Sequence, residues 1–173
     1  MAVNGTAALI SLEVVESVEA SLGLPRDRID FGNPIELDST DCVLHSAWDN
    51  ELLISEVQTI AQLPDESVLF GPGQGIAQAT LELCYQDDTP TADDMAAIIL
   101  SLDNGPSRLQ LLTPDMSTFL EFYEVAYEPP AQVESDGGTV TTFFANDVEV
   151  VGVFRVTATR ADDGTLTVEY AEP

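Results

Sequence analysis

The sequence contains no lysine. Its 173 residues include five arginines and one histidine against 31 aspartates and glutamates, for a formal net charge of −26. The missing lysine excludes every site built on that side chain, such as the phosphate-binding P-loop and Schiff-base catalysis. The excess of carboxylates argues against a groove for specific nucleic-acid binding, because affinity for phosphates comes from Lys and Arg.

Cysteine is also scarce, and Cys42 and Cys84 are too few for a disulfide scaffold. We expect two free buried thiols, with a single bridge between them as the alternative. No apolar run reaches the roughly 18 residues of a transmembrane helix, so no membrane partner is expected. The first residues carry no positive charge, so a signal peptide is not expected either.

The acidic composition predicts a protein adapted to high salt. At a net charge of −26, like charges repel in dilute buffer and strain the folded state. In molar salt the Debye length falls to about 3 Å, which screens this repulsion. We therefore expect the protein to lose structure below about 0.5 M salt. The carboxylates are expected to hold only diffuse cations.

Apolar residues make up 45% of the chain, enough for a packed core. Residues 1–173 are predicted to form a single domain, which could be divided into an N-terminal subregion at 1–70 and a β-rich body at 71–173.

Two segments predict helices. Residues 7–22 place apolar side chains at helical spacing, and Gly23 and Pro25 follow as stop signals. Residues 92–102 follow Thr91, a good N-cap, and begin with aspartates that suit the helix dipole.

Most of the other segments predict β structure. Residues 42–63 fit either a helix or two strands. The segment at 129–138 reads as a polar loop or arm. Strands are predicted at 76–85, 108–113, 118–127, 139–144, 148–159 and 165–170, with a hairpin turn at 161–164. The fold class is therefore α+β, a mostly antiparallel β-sheet or sandwich with one or two flanking helices.

His45 is the only histidine, and Cys42 precedes it by three residues. With Cys84 these residues would give three zinc ligands, one short of a closed site unless a carboxylate or a water completes the set. A Cys–His nucleophile pair at this spacing is not specific. We favour a neutral, hydrogen-bonded His45 near Trp48, and predict no metal and no cofactor.

The other candidate motifs have simpler explanations. The glycine-rich run at 71–75 does not fit a dinucleotide-binding loop, and Pro72 removes a backbone donor, so a surface loop is the better interpretation. No nucleophile elbow and no EF-hand loop are present. Adjacent carboxylates are expected by chance in a chain with 31 acids. We therefore predict no catalytic residues and no enzyme activity.

Surface contacts are the remaining candidates. The aromatic residues at 119–127 are most simply core, but any exposed member would be an interface hot spot. Arg26 and Arg28 are candidates for pairing with carboxylates across a subunit boundary, and pairing within the chain is the equal alternative. The predicted interface residues are Arg26, Arg28, Phe119, Phe122, Tyr123, Pro129, Pro130, Glu134 and Asp136.

In its acidic composition and β-rich body the chain resembles a small structural virion protein of a tailed haloarchaeal virus. The strands over 108–170, the helix at 92–102 and the arm at 129–138 are similar to tail-tube and tail-completion subunits, which join β-sandwiches into rings through long loops. The N-terminal half has no counterpart in that pattern.

This resemblance implies a non-enzymatic subunit that self-assembles with copies of itself and other virion proteins, located in the virion after assembly in the host cytoplasm. A capsid-surface subunit fits the same pattern. The alternative is a cytoplasmic halophilic module that binds a ligand or cation beside the loop at 71–75. A third hypothesis is a hydrolase that uses buried carboxylates.

Overall fold

The structure, a computed structural model, describes residues 10–38, 40–52, 57–73, 75–86, 88–103, 109–147 and 152–172. The helices in these ranges are α1 (Leu12–Leu22), α2 (Ile76–Cys84), α3 (Ala92–Leu102) and α4 (Ser117–Phe122). The strands are β1 (Ile29–Phe31), β2 (Ile35–Glu36), β3 (Val43–Asp49), β4 (Gln58–Gln62), β5 (Val68–Gly71), β6 (Leu109–Leu111), β7 (Ala131–Ser135), β8 (Gly138–Asp147), β9 (Gly152–Ala161) and β10 (Leu166–Ala171).

The strands form two antiparallel sheets. Sheet A has the order β1-β3-β4-β5, and β2 also pairs with β3. Sheet B has the order β10-β9-β8-β6, and β7 also pairs with β8. The long strand β8 pairs with β9 along one side, and with β7 and β6 end to end along the other. The predicted fold class, α+β with mostly antiparallel sheet, is confirmed.

The helix pair α2–α3 contributes to a core that joins both sheets. Leu44 and Ala61 of sheet A and Phe143 and Val156 of sheet B belong to one buried cluster, together with side chains of α2 and α3. A second cluster lies under α1, where Val14 and other buried residues pack against the opposite face of sheet A. Both faces of sheet A are thus packed against helices.

The two predicted helices are confirmed where they are described. Ser11 caps α1 by accepting a hydrogen bond from Val14 N at 3.3 Å, and Gly23 ends the helix in the left-handed conformation with φ 64°. Thr91 caps α3 by accepting from Asp94 N at 3.1 Å. Residues 7–9 lie outside the described part of the chain.

The strand predicted at 76–85 is wrong, because this segment forms α2. The apolar alternation rests partly on alanine, which is small and is a strong helix former like leucine. Ala77, Thr80 and Leu81 are the buried residues of α2, and their spacing of three and four is helical.

The strand predicted at 118–127 is also wrong. The chain there forms the short helix α4 and continues without regular structure as far as Ala131. Leu120 is buried against Leu112 and Val153, with Phe119 and Tyr123 packed around this cluster. Aromatic content suggested a strand, but the contacts follow helical spacing.

The polar arm predicted at 129–138 is mostly strand. Residues Ala131–Ser135 form β7, which pairs with β8 through a tight turn at residues 136–137. Residues 42–63 contain two strands, β3 and β4, with 53–56 outside the described ranges. The predicted strand at 108–113 is the shorter β6, and those at 139–144 and 148–159 are β8 and β9. Arg108 and residues 148–151 are not among the described residues.

Candidate functional site

The register of sheet B places two sets of side chains on opposite faces. Phe143, Ala145 and Val156 point to the buried core. The intervening residues therefore point the other way, because side chains alternate along a strand and directly paired residues share a face. We call this second set the outer face. Across the strands it reads Val133, Val140, Thr159, Thr167; then Ala131, Thr142, Thr157, Glu169; then Phe144, Arg155, Ala171.

Helix α4 covers only one end of the outer face. Phe144 belongs to the cluster formed by Leu112, Leu120 and Val153. Away from this end the outer-face side chains of β7 and β10 are exposed, and those of β8 and β9 are half-buried except for Arg155, which is exposed. Helix α1 covers one face of sheet A, whereas most of the outer face of sheet B is exposed or half-buried.

The outer face is nearly neutral in a very acidic protein. It carries one acid, Glu169, and one base, Arg155, while the chain as a whole has a net charge of −26. Its other members are threonine, valine, alanine and phenylalanine. A second, equally acidic molecule meets less like-charge repulsion here than on a surface with the average charge of the chain.

Arg155 lies in a groove on this face. The groove has a volume of about 240 Å³, and its walls include Glu128, Pro129, Val140 and Phe144. Within the described ranges, Arg155 makes neither a hydrogen bond nor an ion pair. None of its N–H donors is therefore used by an acceptor in those ranges.

Strand β7 forms an open edge of sheet B. In the part of the chain that the structure describes, it pairs with β8 alone. Val133 is 66% exposed at the centre of this strand. Every second residue of β7 directs its N–H and C=O away from β8, and such groups are a ready template for another strand.

The opposite edge of sheet B is partly closed. Leu166 N of β10 donates to Oε1 of Gln78 on α2 at 3.5 Å, and the Tyr170 hydroxyl donates to Oδ2 of Asp103 at 2.5 Å. This carboxylate and, above all, burial raise the pKa of Tyr170. The two edges therefore differ in accessibility.

The predicted interface residues divide into two groups. Arg28 pairs within the chain, with Nη2 at 2.5 Å from Asp49 Oδ2 and Nε at 3.1 Å from Glu51 Oε2. Arg26 donates to the Ile29 carbonyl at 2.9 Å, and its guanidinium lies 4.9 Å from the centre of the Phe31 ring. Both guanidiniums are thus engaged inside the chain.

The other candidates lie around sheet B. Phe122 is 77% exposed on α4, and its ring meets Tyr123 edge-on at 5.0 Å, with Phe119 4.7 Å from Tyr123 on the other side. Pro129 and Pro130 precede β7, Glu134 accepts from the Thr139 hydroxyl at 3.2 Å, and Asp136 is in the turn after the strand. Arg155 was not predicted, although the alternation along β9 carries the signal for it.

His45 is buried and hydrogen-bonded, as predicted. Its Nε2 lies 2.9 Å from Gln62 Oε1, while Gln62 Nε2 donates to the hydroxyl of Ser11, the N-cap of α1. The amide oxygen must accept, so His45 carries its proton on Nε2. Nδ1 is buried with no hydrogen-bond partner among the described residues. Burial lowers the pKa of His45, and the Gln62 contact offsets only part of this effect.

The expectation of two free thiols is wrong. Cys42 and Cys84 form a disulfide with their Cα atoms 6.1 Å apart. Helix α2, where a strand was predicted, brings Cys84 to the loop before β3. Oxidation removes both thiolates that a zinc site or a Cys–His nucleophile would need.

A polar junction surrounds this disulfide. Asp94 Oδ1 accepts from Asp38 N at 2.9 Å, and the Tyr85 hydroxyl donates to the Asp38 carbonyl at 3.3 Å. Burial, followed by the nearby carboxylates of Asp94 and Asp38, raises the pKa of Tyr85. Arg160 of β9 donates to the Tyr85 carbonyl at 3.1 Å, which links the junction to sheet B.

The described residues contain no group of three or more His, Cys, Asp or Glu side chains placed to hold a metal ion. None of the helices in the described ranges has the length and apolar character needed to cross a membrane.

Comparisons with models of protein families, with curated proteins and with solved structures find no match to this chain.

Proposed function

We propose that this protein is a non-enzymatic structural subunit that self-assembles in a high-salt medium, as part of a larger particle such as a virion tail or head–tail component. The observation that carries the proposal is the uncovered, nearly neutral outer face of sheet B. Uncharged surface of this extent on such an acidic chain is suited to contact with other protein surfaces.

The disulfide supports a particle over a cytoplasmic module. Disulfides persist on virion and cell surfaces and in secreted proteins, whereas the thiols of cytoplasmic proteins are generally kept reduced. The Cys42–Cys84 bond closes the loop before β3 onto the end of α2. A subunit that leaves the cell benefits from this bond, because no chaperone refolds the subunit outside the cell.

The exposed aromatic ring on α4 adds to the same surface. Phe122 is 77% exposed and stands beside the end of the outer face that α4 covers. Large aromatic side chains are enriched among interface hot spots. An assembly contact that includes Phe122 would bury a ring that the isolated chain leaves in solvent.

The test is the oligomeric state in multimolar KCl, measured by light scattering after size exclusion and by negative-stain microscopy. Ala131→Glu adds one negative charge to the outer face at β7, and Ala20→Glu makes the same change at an exposed position on α1. We expect the wild type and Ala20→Glu to form a defined oligomer and Ala131→Glu to dissociate. A wild type that stays monomeric at all concentrations refutes self-assembly of the isolated chain.

A second candidate, a halophilic ligand-binding module, rests on a groove of about 370 Å³ beside the loop at 71–75. Gly75, Gln78 and Asp103 contribute to its wall. Asp103 already accepts from Tyr170, so a cation there would compete with that hydroxyl. A monomer whose melting temperature rises with a divalent cation at constant ionic strength, but not in Asp103→Asn, would favour this function.

A further inference from the structure

We propose that β7 pairs with β7 of a second copy of this chain, antiparallel and across a two-fold axis at Val133. This proposal rests on the proposed function and specifies its partner and contact. Sheet B of one copy and sheet B of the other then form one continuous sheet. An isologous contact of this kind needs only one surface, which must be complementary to itself.

The first support is the contrast between the edges of sheet B. On β10 a backbone N–H is taken by Gln78 of α2. On β7 the described residues supply partners from β8 only, and Val133 stands 66% exposed. Natural proteins often protect an open edge with charged side chains, especially lysine, with proline or with a covering element. Here lysine is absent from the chain, the two prolines precede the strand, and Glu134 is the one charged residue of β7.

The second support is the sequence of β7 itself. With Val133 opposite its own copy, Gln132 faces Glu134 of the second copy, and Ala131 faces Ser135. An amide thus meets each carboxylate, and no two carboxylates are opposed. In one direction, a slip of one residue places Val133 opposite Glu134, and a slip of two places Glu134 opposite Glu134, which is destabilising. In the other direction, Val133 meets Gln132 after a slip of one, which leaves its side chain without an apolar partner across the axis.

The third support is continuity on the outer face. Val133 is paired with Val140 in the register of β7 and β8. Because directly opposed residues share a face, the two-fold axis joins two such pairs into one row of four valines. The exposed Val133 side chain then gains an apolar neighbour on both sides.

The test is a register-specific disulfide. The native cysteines are already joined, so Val133→Cys introduces the only free thiol. In the proposed register the two Cα atoms at 133 are about 4.5–5.5 Å apart, within disulfide range. The two residues at 134 are offset by two positions, at about 8 Å, beyond the roughly 7 Å limit. Glu134→Cys is therefore the matched control, on the same exposed strand.

Under mild oxidation in multimolar KCl we expect Val133→Cys to shift to a covalent dimer on a non-reducing gel, while Glu134→Cys stays monomeric. A mixture of Gln132→Cys with Glu134→Cys should form a covalent heterodimer that neither variant forms alone. Circular dichroism of each variant confirms its fold before oxidation.

Equal dimer yields from Val133→Cys and Glu134→Cys would overturn the pairing. Light scattering of the wild type in the same buffer separates the two proposals. If the wild type is oligomeric and Val133→Cys fails to cross-link, edge pairing is refuted and self-assembly stands. If the wild type is monomeric and no variant cross-links, both proposals fall.

Discussion

His45 and Gln62 lie on paired strands of sheet A, and a 2.9 Å hydrogen bond joins their side chains beneath the start of α1. The acceptor role of Gln62 fixes the proton of His45 on Nε2. Protonation of Nδ1 would place a positive charge in a buried site with no described acceptor. Burial therefore opposes the charged imidazole, and the Gln62 contact offsets only part of this effect.

Burial of His45 predicts a loss of stability in mild acid. The pKa of His45 is lowered from 6.5 in the folded state, so the unfolded state binds more protons once the pH falls below that value. The free energy of unfolding of the wild type should fall between about pH 7.5 and about pH 5.5. His45→Gln should remove this decrease, as measured by urea unfolding in multimolar KCl. Identical pH profiles would contradict the prediction.

Reduction of the disulfide should destabilise the fold strongly. The bond spans a sequence separation of 42, for which loop-closure entropy gives about 4 kcal/mol. Urea unfolding with and without reductant measures this difference. The double variant Cys42→Ala/Cys84→Ala should unfold at the same urea concentration in both buffers. A urea midpoint of the wild type that does not change with reductant would show that the disulfide does not stabilise the fold.

Asp94 should matter more than its neighbour Asp93. Both aspartates lie in the first turn of α3, where they interact similarly with the helix dipole. Only Asp94 is buried and accepts from Asp38 N. Asp94→Ala should lower the free energy of unfolding by about 2 kcal/mol more than Asp93→Ala, because it removes the hydrogen bond from Asp38 N to a buried carboxylate. Equal losses would show that the junction contributes nothing.

Salt dependence can be tested on α1. Glu16 is exposed between Glu13 and Glu19, three residues from each, so both neighbours repel it. Glu16→Gln should raise the free energy of unfolding by a few tenths to about 1 kcal/mol at the lowest salt concentration at which the protein is folded. In multimolar KCl, where screening is complete over such distances, the substitution should have no effect. A gain in the free energy of unfolding of the same size in both buffers would show that charge repulsion is not its cause.

The wild type itself should melt at a higher temperature in multimolar KCl than in dilute buffer, because its net charge of −26 is then screened. Thermal unfolding followed by circular dichroism measures this shift. A melting temperature that does not change with salt would contradict adaptation to high salt.

Elements with local signals were predictable from the sequence. Thr91 and Gly23 mark helix ends by capping chemistry, which acts within a few residues. The turn at 161–164, which joins β9 to β10, was likewise predictable from residues within the turn itself. These features depend little on the rest of the fold.

Elements decided by distant contacts were not predictable. Alternation of alanine and leucine favoured a strand for α2, but packing against α3 and β5 favours the helix. Strand β7 looked like a loop because Gln132, Glu134 and Ser135 make it polar, and among the described residues β8 is its one strand partner. Tertiary context decides such segments over local propensity.

The candidate site was predicted only in part. Phe122, Pro129, Glu134 and Asp136 were singled out as surface contacts and lie around sheet B. The outer face itself was missed, because its members come from four strands whose register the sequence does not state. Arg155 belongs to this face only by virtue of its pairing with Phe144 and Ala171.

The polar junction also has a mechanical consequence. Cys42 lies directly before β3 of sheet A, its disulfide leads to α2, and Tyr85 after α2 accepts from Arg160 of β9. The junction therefore adds a covalent bond and one charged hydrogen bond to the packed core that joins the two sheets. Neighbouring molecules that pull on the two sheets in opposite directions would strain this link as well as the core.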